Sequence, residues 1–419
     1  MSDANSVIVV GAGIVGTATA LNLQRRGRPV TLVDRAEPGE GTSYGSGAIL
    51  VPSSIIPVTT PGLIGKLPSM LSDPLGPVYM RWSYLPRMLP WLMRYLAQTK
   101  PERVRHVARH MAPMVADSLD EHRALAAGTA AERYIHSLPY AFVFKSRAAF
   151  EADPFAWDLR RENGISWRTL EGDAVAEAEP ALSQDYRFLA IFDDQHGLID
   201  APGDYIKALA GALAAGGGEI VSAEVKGFLR DGNRITGIET DRGRHEAETT
   251  VIAAGAWSAR LLTTLGLDIP METERGYHLD LLDPSMKPNM AMMIADGKFV
   301  CSPMPSRLRI AGLVEFGGLD AGPSAAPVNT LKTRLARVFP SLTYGEMKPW
   351  LGHRPAPVDS LPILGPIRGL DGLVCAFGHH HVGLTSGPRT ARLIADMVAG
   401  RQPNIDLSPY SPGRFTKRD

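Results

Sequence analysis

Gly11, Gly13 and Gly16 stand in the spacing G-x-G-x-x-G, between the apolar run Val7 to Val10 and a segment of helical spacing, Ile14 to Arg26. A second apolar run, Val30 to Val33, ends in Asp34, eighteen residues past Gly16. Each residue type has a task. Gly11 permits a tight turn, Gly13 lets a pyrophosphate approach the backbone, and Gly16 lets helix and strand pack closely. The helix start, with unpaired N–H groups and partial positive charge, binds an anion without a basic side chain. Asp34 accepts hydrogen bonds from both ribose hydroxyls and repels a 2′-phosphate. Together these point to an adenine dinucleotide; a merely structural glycine turn would leave the placement of Asp34 to chance.

The elements that position this turn recur late in the chain. Thr250 to Gly255 reads as a returning strand of the same sheet, with a helix restarting over Ala256 to Leu262. Before it, Ile220 to Val225, Arg234 to Thr240 and Arg244 to Glu248 alternate around Asp231-Gly232 and Asp241-Arg242-Gly243, predicting a three-stranded meander. A meander in that place is typical of flavin-binding rather than nicotinamide-binding sheets. Near the C-terminus a strand, Gly372 to Ala376, gives way to Phe377-Gly378-His379-His380-His381-Val382-Gly383 and a helix from about Ser386 to Ala399. A second helix start is thus offered to a ligand, suited to the edge of an isoalloxazine that gains negative charge on reduction.

Composition excludes several alternatives. The chain has 419 residues with 44 Lys+Arg against 44 Asp+Glu, so no electrostatic footprint for nucleic acid exists. Its two cysteines, Cys301 and Cys375, lack the spacing of a zinc or redox pair. The length predicts two or three structural units. Without a run long enough to cross a bilayer or a signal segment, the reading is a soluble, cytoplasmic protein. The stretch Val78 to Leu96 mixes Tyr79, Trp82, Tyr84, Trp91 and Tyr95 with Arg81, Arg87 and Arg94. It fits a peripheral contact with the inner membrane, or a helical excursion packed on the body; Pro86 and Pro90, as breaks in the helical pattern, favour the second.

Taken together, these motifs resemble the D-amino-acid dehydrogenase branch of the glycine oxidase, sarcosine oxidase and D-amino-acid oxidase superfamily. The resemblance runs through Val7 to Leu23, Thr42 to Ala48, Arg275-Gly276-Tyr277, Trp350 to Pro355, Asp359 to Gly365 and Gly378-His379. It implies an α/β fold: a Rossmann-type FAD-binding domain built from discontinuous segments (1–81, 201–270 and 346–419), with a mixed-sheet α+β substrate domain (82–200 and 271–345). Expected strands of the second domain are Tyr140 to Lys145, Phe188 to Asp193, Glu274 to Leu281 and Lys298 to Phe316. The candidate cofactor contacts are Gly11, Gly13, Ile14, Val15, Gly16, Asp34 and Arg35 toward the nucleotide. Thr42, Ser43, Ser46, Gly47, Val225, Ala254, Gly255, Trp257 and Arg354 follow, with Gly378, His379, His380, His381, Val382, Gly383 and Leu384 at the flavin end. FAD is expected to be non-covalent, because neither the cysteine nor the histidine that links it in some relatives is present. No metal site is expected.

The implied reaction is oxidative deamination of a D-amino acid to a 2-oxo acid and ammonia. A hydride leaves the α-carbon for flavin N5, and the electrons pass to a quinone or protein carrier. A secondary amine such as D-proline, hydroxyproline or an N-methyl amino acid is the alternative substrate, and a flavin-holding subunit of a larger oxidoreductase the alternative role. Arg354 matches the family arginine that holds the carboxylate by two parallel bonds; the other reading is an arginine packed in a domain seam. Tyr277 fits a carboxylate contact or an ordinary strand aromatic, and Tyr44 and His353 are further candidates for lining the site. His380-His381 stand where relatives usually have Gly-Thr, His353 where a less polar residue is common, and Ser46 where asparagine is frequent. The oligomeric state is left open.

Overall fold

The computed structural model describes residues 5–73 and 75–415. The outer ends of the first and last expected segments, residues 1–4 and 416–419, lie outside them. Val7–Val10 sits at the centre of a nine-stranded sheet, parallel to Val30–Asp34 on one side and Thr249–Ile252 on the other. Glu219–Ser222 and Leu370–Phe377 extend this parallel core outward. All four residues of Val7–Val10 are buried, as a strand covered on both faces requires. Helix Ile14–Arg25 lies over the sheet with helix Gly383–Val398 packed against it. Gly387 permits that approach: a Cβ there would stand 2.9 Å from Ile14.

The meander differs from expectation in its first strand. Glu219–Ser222 belongs to the parallel edge, and the antiparallel meander is Val225–Asp231, Arg234–Thr240 and Gly243–Glu246. Only Ala223 and Glu224 separate the two strands, so no glycine or proline announces the change from the parallel edge to the meander.

The second sheet runs Met347–Pro357, Met271–Leu282, Arg307–Phe316, Phe299–Met304, Ala291–Ile294, Tyr140–Phe144, Phe188–Phe192, Arg168–Glu171, with Val78–Met80 beside Arg307–Phe316. The long strand expected over Lys298 to Phe316 is a hairpin that turns at Pro305-Ser306. Met347–Pro357 falls within the range assigned to the nucleotide domain, yet it pairs along its whole length with Met271–Leu282. Val78–Met80, also assigned there, joins the second sheet too. Partner choice between distant strands leaves no local mark in the sequence.

Helix Leu85–Leu96 runs through both Pro86 and Pro90, contrary to the expectation that they break it. Pro86 lies in the first turn, where a missing N–H costs nothing. Met88, Trp91 and Tyr95 recur on the buried face, and Trp91 stacks on Tyr95 at 4.4 Å while its indole donates to the Ala356 carbonyl at 3.1 Å. That packing offsets the bond lost at Pro90. Trp82, 64% exposed, and Leu89 and Met93 point outward. Among the described residues no helix is long and apolar enough to cross a membrane.

Burial holds the imidazoles of His122, His196, His278 and His379 down at about 4, against an ordinary 6.5. Below pH 6.5 the unfolded chain therefore binds protons that the folded chain refuses, so the stability these rings contribute is present above 6.5 and lost as pH falls to about 4. Tm is expected to drop steeply across that interval in a thermal-melt series. A flat profile there would mean that the rings are reached by solvent.

Candidate active site

A cavity of about 1470 Å³ runs between the two sheets, from Gly11, Gly13 and Asp34 to Gly378, Leu384 and Arg354. It exceeds the roughly 300–1,000 Å³ of an ordinary small-molecule pocket and has room for a dinucleotide beside a small substrate. Gly11 has φ +107°, and a Cβ on it would meet the Ala253 carbonyl at 2.5 Å. The Asp34 carboxylate is fixed at its strand end by the amides of Ala12 and Ala36, at 2.7 and 3.0 Å. Helices Ile14–Arg25 and Gly383–Val398 both begin at this cavity. Neither is capped by its own N-cap side chain or has an acidic residue in its first turn, although Ser43 Oγ takes the first amide of Ile14–Arg25. Two positive helix ends thus face the cavity.

The second sheet supplies the opposite wall. Arg354 lies deep in the protein, yet its surface is part open because the cavity reaches it. Burial lowers its pKa, with the neighbouring Glu274 acting the other way. The guanidinium lies over Gly276, where a Cβ would stand 2.4 Å from its central carbon, and Nη1 donates to the Leu313 carbonyl at 3.0 Å. Trp350 covers Gly352 and Gly45 and stacks on His278 at 5.1 Å. The loop Thr42–Gly47 is tied to this wall: Arg309 donates to the carbonyls of Tyr44 and Ser46, both at 2.9 Å, while Asp280 grips its other edge at 2.7 and 2.9 Å.

Residues 6–397 match the model of DAO, the FAD-dependent oxidoreductases. The chain belongs to this family. Among its relatives is a D-amino-acid oxidase of Bradyrhizobium diazoefficiens, 38% identical, with 99% of this chain and all of that protein covered. Another is a D-amino acid dehydrogenase of Paramagnetospirillum magneticum, 29% identical over 98% of this chain and 99% of that one. The fold is that of glycine oxidase from Geobacillus kaustophilus, with a TM-score of 0.74, 23% identity and 99% of each chain covered. The cradle fits the family's FAD: a glycine turn shaped by backbone contact, an acid at the ribose position, and two helix starts that open side by side onto one cavity.

Within this DAO-family chain every residue singled out for the site borders the cavity except Gly16, which packs under the turn, and Tyr44. Tyr44 leans instead on Trp350, at 5.9 Å, and on Gly203. Tyr277 borders the cavity, but its hydroxyl is turned away, donating to Glu315 at 2.5 Å and accepting from the Ser324 amide at 2.9 Å. Alternation explains this, since Glu274 and Gly276 take the cavity face and Arg275 and Tyr277 the other. The Tyr277 hydroxyl is thus committed within the protein, while its ring borders the cavity. His353 meets Thr273 Oγ1 at 3.2 Å and Trp257 at 5.3 Å, and Trp257 carries Arg35 on its face at 4.4 Å. The Ser43 hydroxyl accepts from the Ile14 amide at 3.1 Å, and Thr42 donates to the His353 carbonyl at 2.9 Å.

The three consecutive histidines diverge. The His379 ring is bonded through Nε2 to Thr390 Oγ1 at 2.9 Å, which anchors helix Gly383–Val398 while His379 still borders the cavity. His381 Nε2 meets Ser54 Oγ at 3.2 Å. His380 Nε2 lies 2.8 Å from Glu274 Oε2, and Tyr95 donates to the other Glu274 oxygen at 3.3 Å. Glu274 went unnoticed in the sequence. Its one signal is an acid two residues before Gly276, on the face that Arg354 shares. Among the described residues no group of three or more His, Cys, Asp or Glu is placed to hold a metal ion.

Proposed function

We propose that the protein oxidises D-amino acids to 2-oxo acids and ammonia, with Arg354 holding the substrate carboxylate. The observation that carries this is a part-open guanidinium on the wall of the coenzyme cavity, with only one of its nitrogens committed to a backbone carbonyl. FAD, when bound, accepts the hydride from the α-carbon. The chain's own residues bind and orient: a planar guanidinium fixes a carboxylate by two parallel bonds, and so fixes which face of the α-carbon is offered. FAD is held without a covalent bond, and both cysteines are buried outside the cavity lining.

The names of the relatives support the substrate class. For the acceptor we propose a quinone or protein carrier; exposed Trp82, Leu89 and Met93 support a peripheral contact with a membrane surface where a quinone would be met. The oxidase name of the Bradyrhizobium relative favours dioxygen as the rival acceptor.

Anaerobic mixing tests the function. Bleaching of the yellow protein by D-alanine or another D-amino acid, and not by its L-enantiomer, is the expected result. Bleaching only by cyclic or N-methylated amino acids would overturn the substrate class. Oxygen uptake that outpaces quinone reduction would overturn the acceptor.

A further inference from the structure

We propose that His380 occupies the Glu274 carboxylate so that Arg354 stays free for the substrate; both are positioning residues, and the inference rests on the carboxylate-clamp reading of Arg354. Glu274 and Arg354 are direct partners across two antiparallel strands, on the cavity face. At that spacing a carboxylate and a guanidinium within a protein ordinarily close into a two-bond pair. Here they do not. Glu274 turns to His380 and Tyr95, at 2.8 and 3.3 Å, while the guanidinium lies along the strand over Gly276. Burial alone would raise the Glu274 carboxyl, but His380 beside it, with Arg354 further off, holds it down at about 2. An ionised Glu274 on Arg354 would be a tethered competitor for any carboxylate that diffuses in.

His380 is held to this position at some cost. Its φ is +50°, in the left-handed region that side chains other than glycine seldom adopt. Its amide donates to the Pro355 carbonyl at 2.9 Å, so imidazole and guanidinium hang from adjoining points of the backbone. The ring is buried, and beyond its close polar contact with Glu274 neither nitrogen has an in-line hydrogen-bond partner. Its one ring neighbour among the described residues is His381, edge-on at 4.8 Å.

The test uses the FAD-loaded full chain and two readouts: steady-state kinetics with a D-amino acid, and the Kd of benzoate, a carboxylate without an amine, titrated at the flavin absorbance. In His380→Asn, which suits the left-handed backbone, Glu274 keeps only its longer bond from Tyr95, and Arg354 closes onto the oxygen that His380 held. KM and the benzoate Kd are expected to rise at least about tenfold, with kcat within about threefold. Removing the Glu274 charge as well, in Glu274→Gln/His380→Asn, is expected to bring both constants back to within about threefold of the unaltered protein. A purely structural role for His380 would leave the double variant as weak as the single one.

Unchanged constants in His380→Asn, or a double variant no better than the single, would overturn the inference. His380→Gly serves in the same comparison if asparagine lowers Tm. Arg354→Met separates the layers. If it leaves the benzoate Kd unchanged, the clamp reading itself fails; if it raises Kd while His380→Asn does not, only this inference fails.

Discussion

A Gly16→Ala protein is expected to fold and to come off a column nearly colourless. The added Cβ would stand 1.8 Å from the Gly11 carbonyl oxygen and 3.0 Å from its carbon, and both are backbone atoms of the turn itself. Neither swings aside as a side-chain tip would. Gly11 has no room to retreat, because its own far side abuts Ala253 and Ala254. The turn must therefore lift from the helix start, which carries the amides aimed at the phosphates out of register. Overpacking of this kind costs about 1–3 kcal/mol, or about five- to 150-fold in affinity if it falls wholly on the bound state. Fluorescence titration of the apoprotein with FAD reads the change directly. A variant that retains one flavin per chain would show that the diphosphate is held elsewhere.

Arg354→Met should raise KM for carboxylate substrates at least tenfold, since breaking a buried charged contact costs about 2–5 kcal/mol. Methionine keeps most of the length and apolar stem, so the wall around Gly276 and Leu313 loses little packing. What goes is the pair of parallel bonds that decides how the α-carbon faces the coenzyme. A decarboxylated amine should therefore lose far less than the parent amino acid when the two are compared on the variant. Equal losses for both would make Arg354 a structural residue of the seam.

The nucleotide end was legible in the sequence because its chemistry is local. Glycines at fixed spacing, an apolar run before them and an acid at the next strand end are all properties of one continuous stretch. The opposite wall was half legible. Arg354 stands out by type and context, but whether its strand pairs with the first sheet or the second is settled by a partner some eighty residues away, Met271–Leu282. Face parity was the other hidden quantity. A shift of one residue exchanges the two faces of a strand, so Tyr277 drew attention in the Arg275-Gly276-Tyr277 motif while Glu274, its neighbour by parity to Arg354, did not. The separate partners of the histidine run were hidden for a similar reason: that His379 would reach Thr390 follows from where the helix settles, not from the spacing of the run.

Arg309 gives the two halves of the molecule a common fate. It is buried in the second sheet, yet its hydrogen bonds end on the loop that borders the coenzyme cavity of the first. A dissected nucleotide half, expressed alone, would keep its glycine turn and lose the strut behind Thr42–Gly47. Modular transplantation of this coenzyme site thus requires bringing the sheet that faces it.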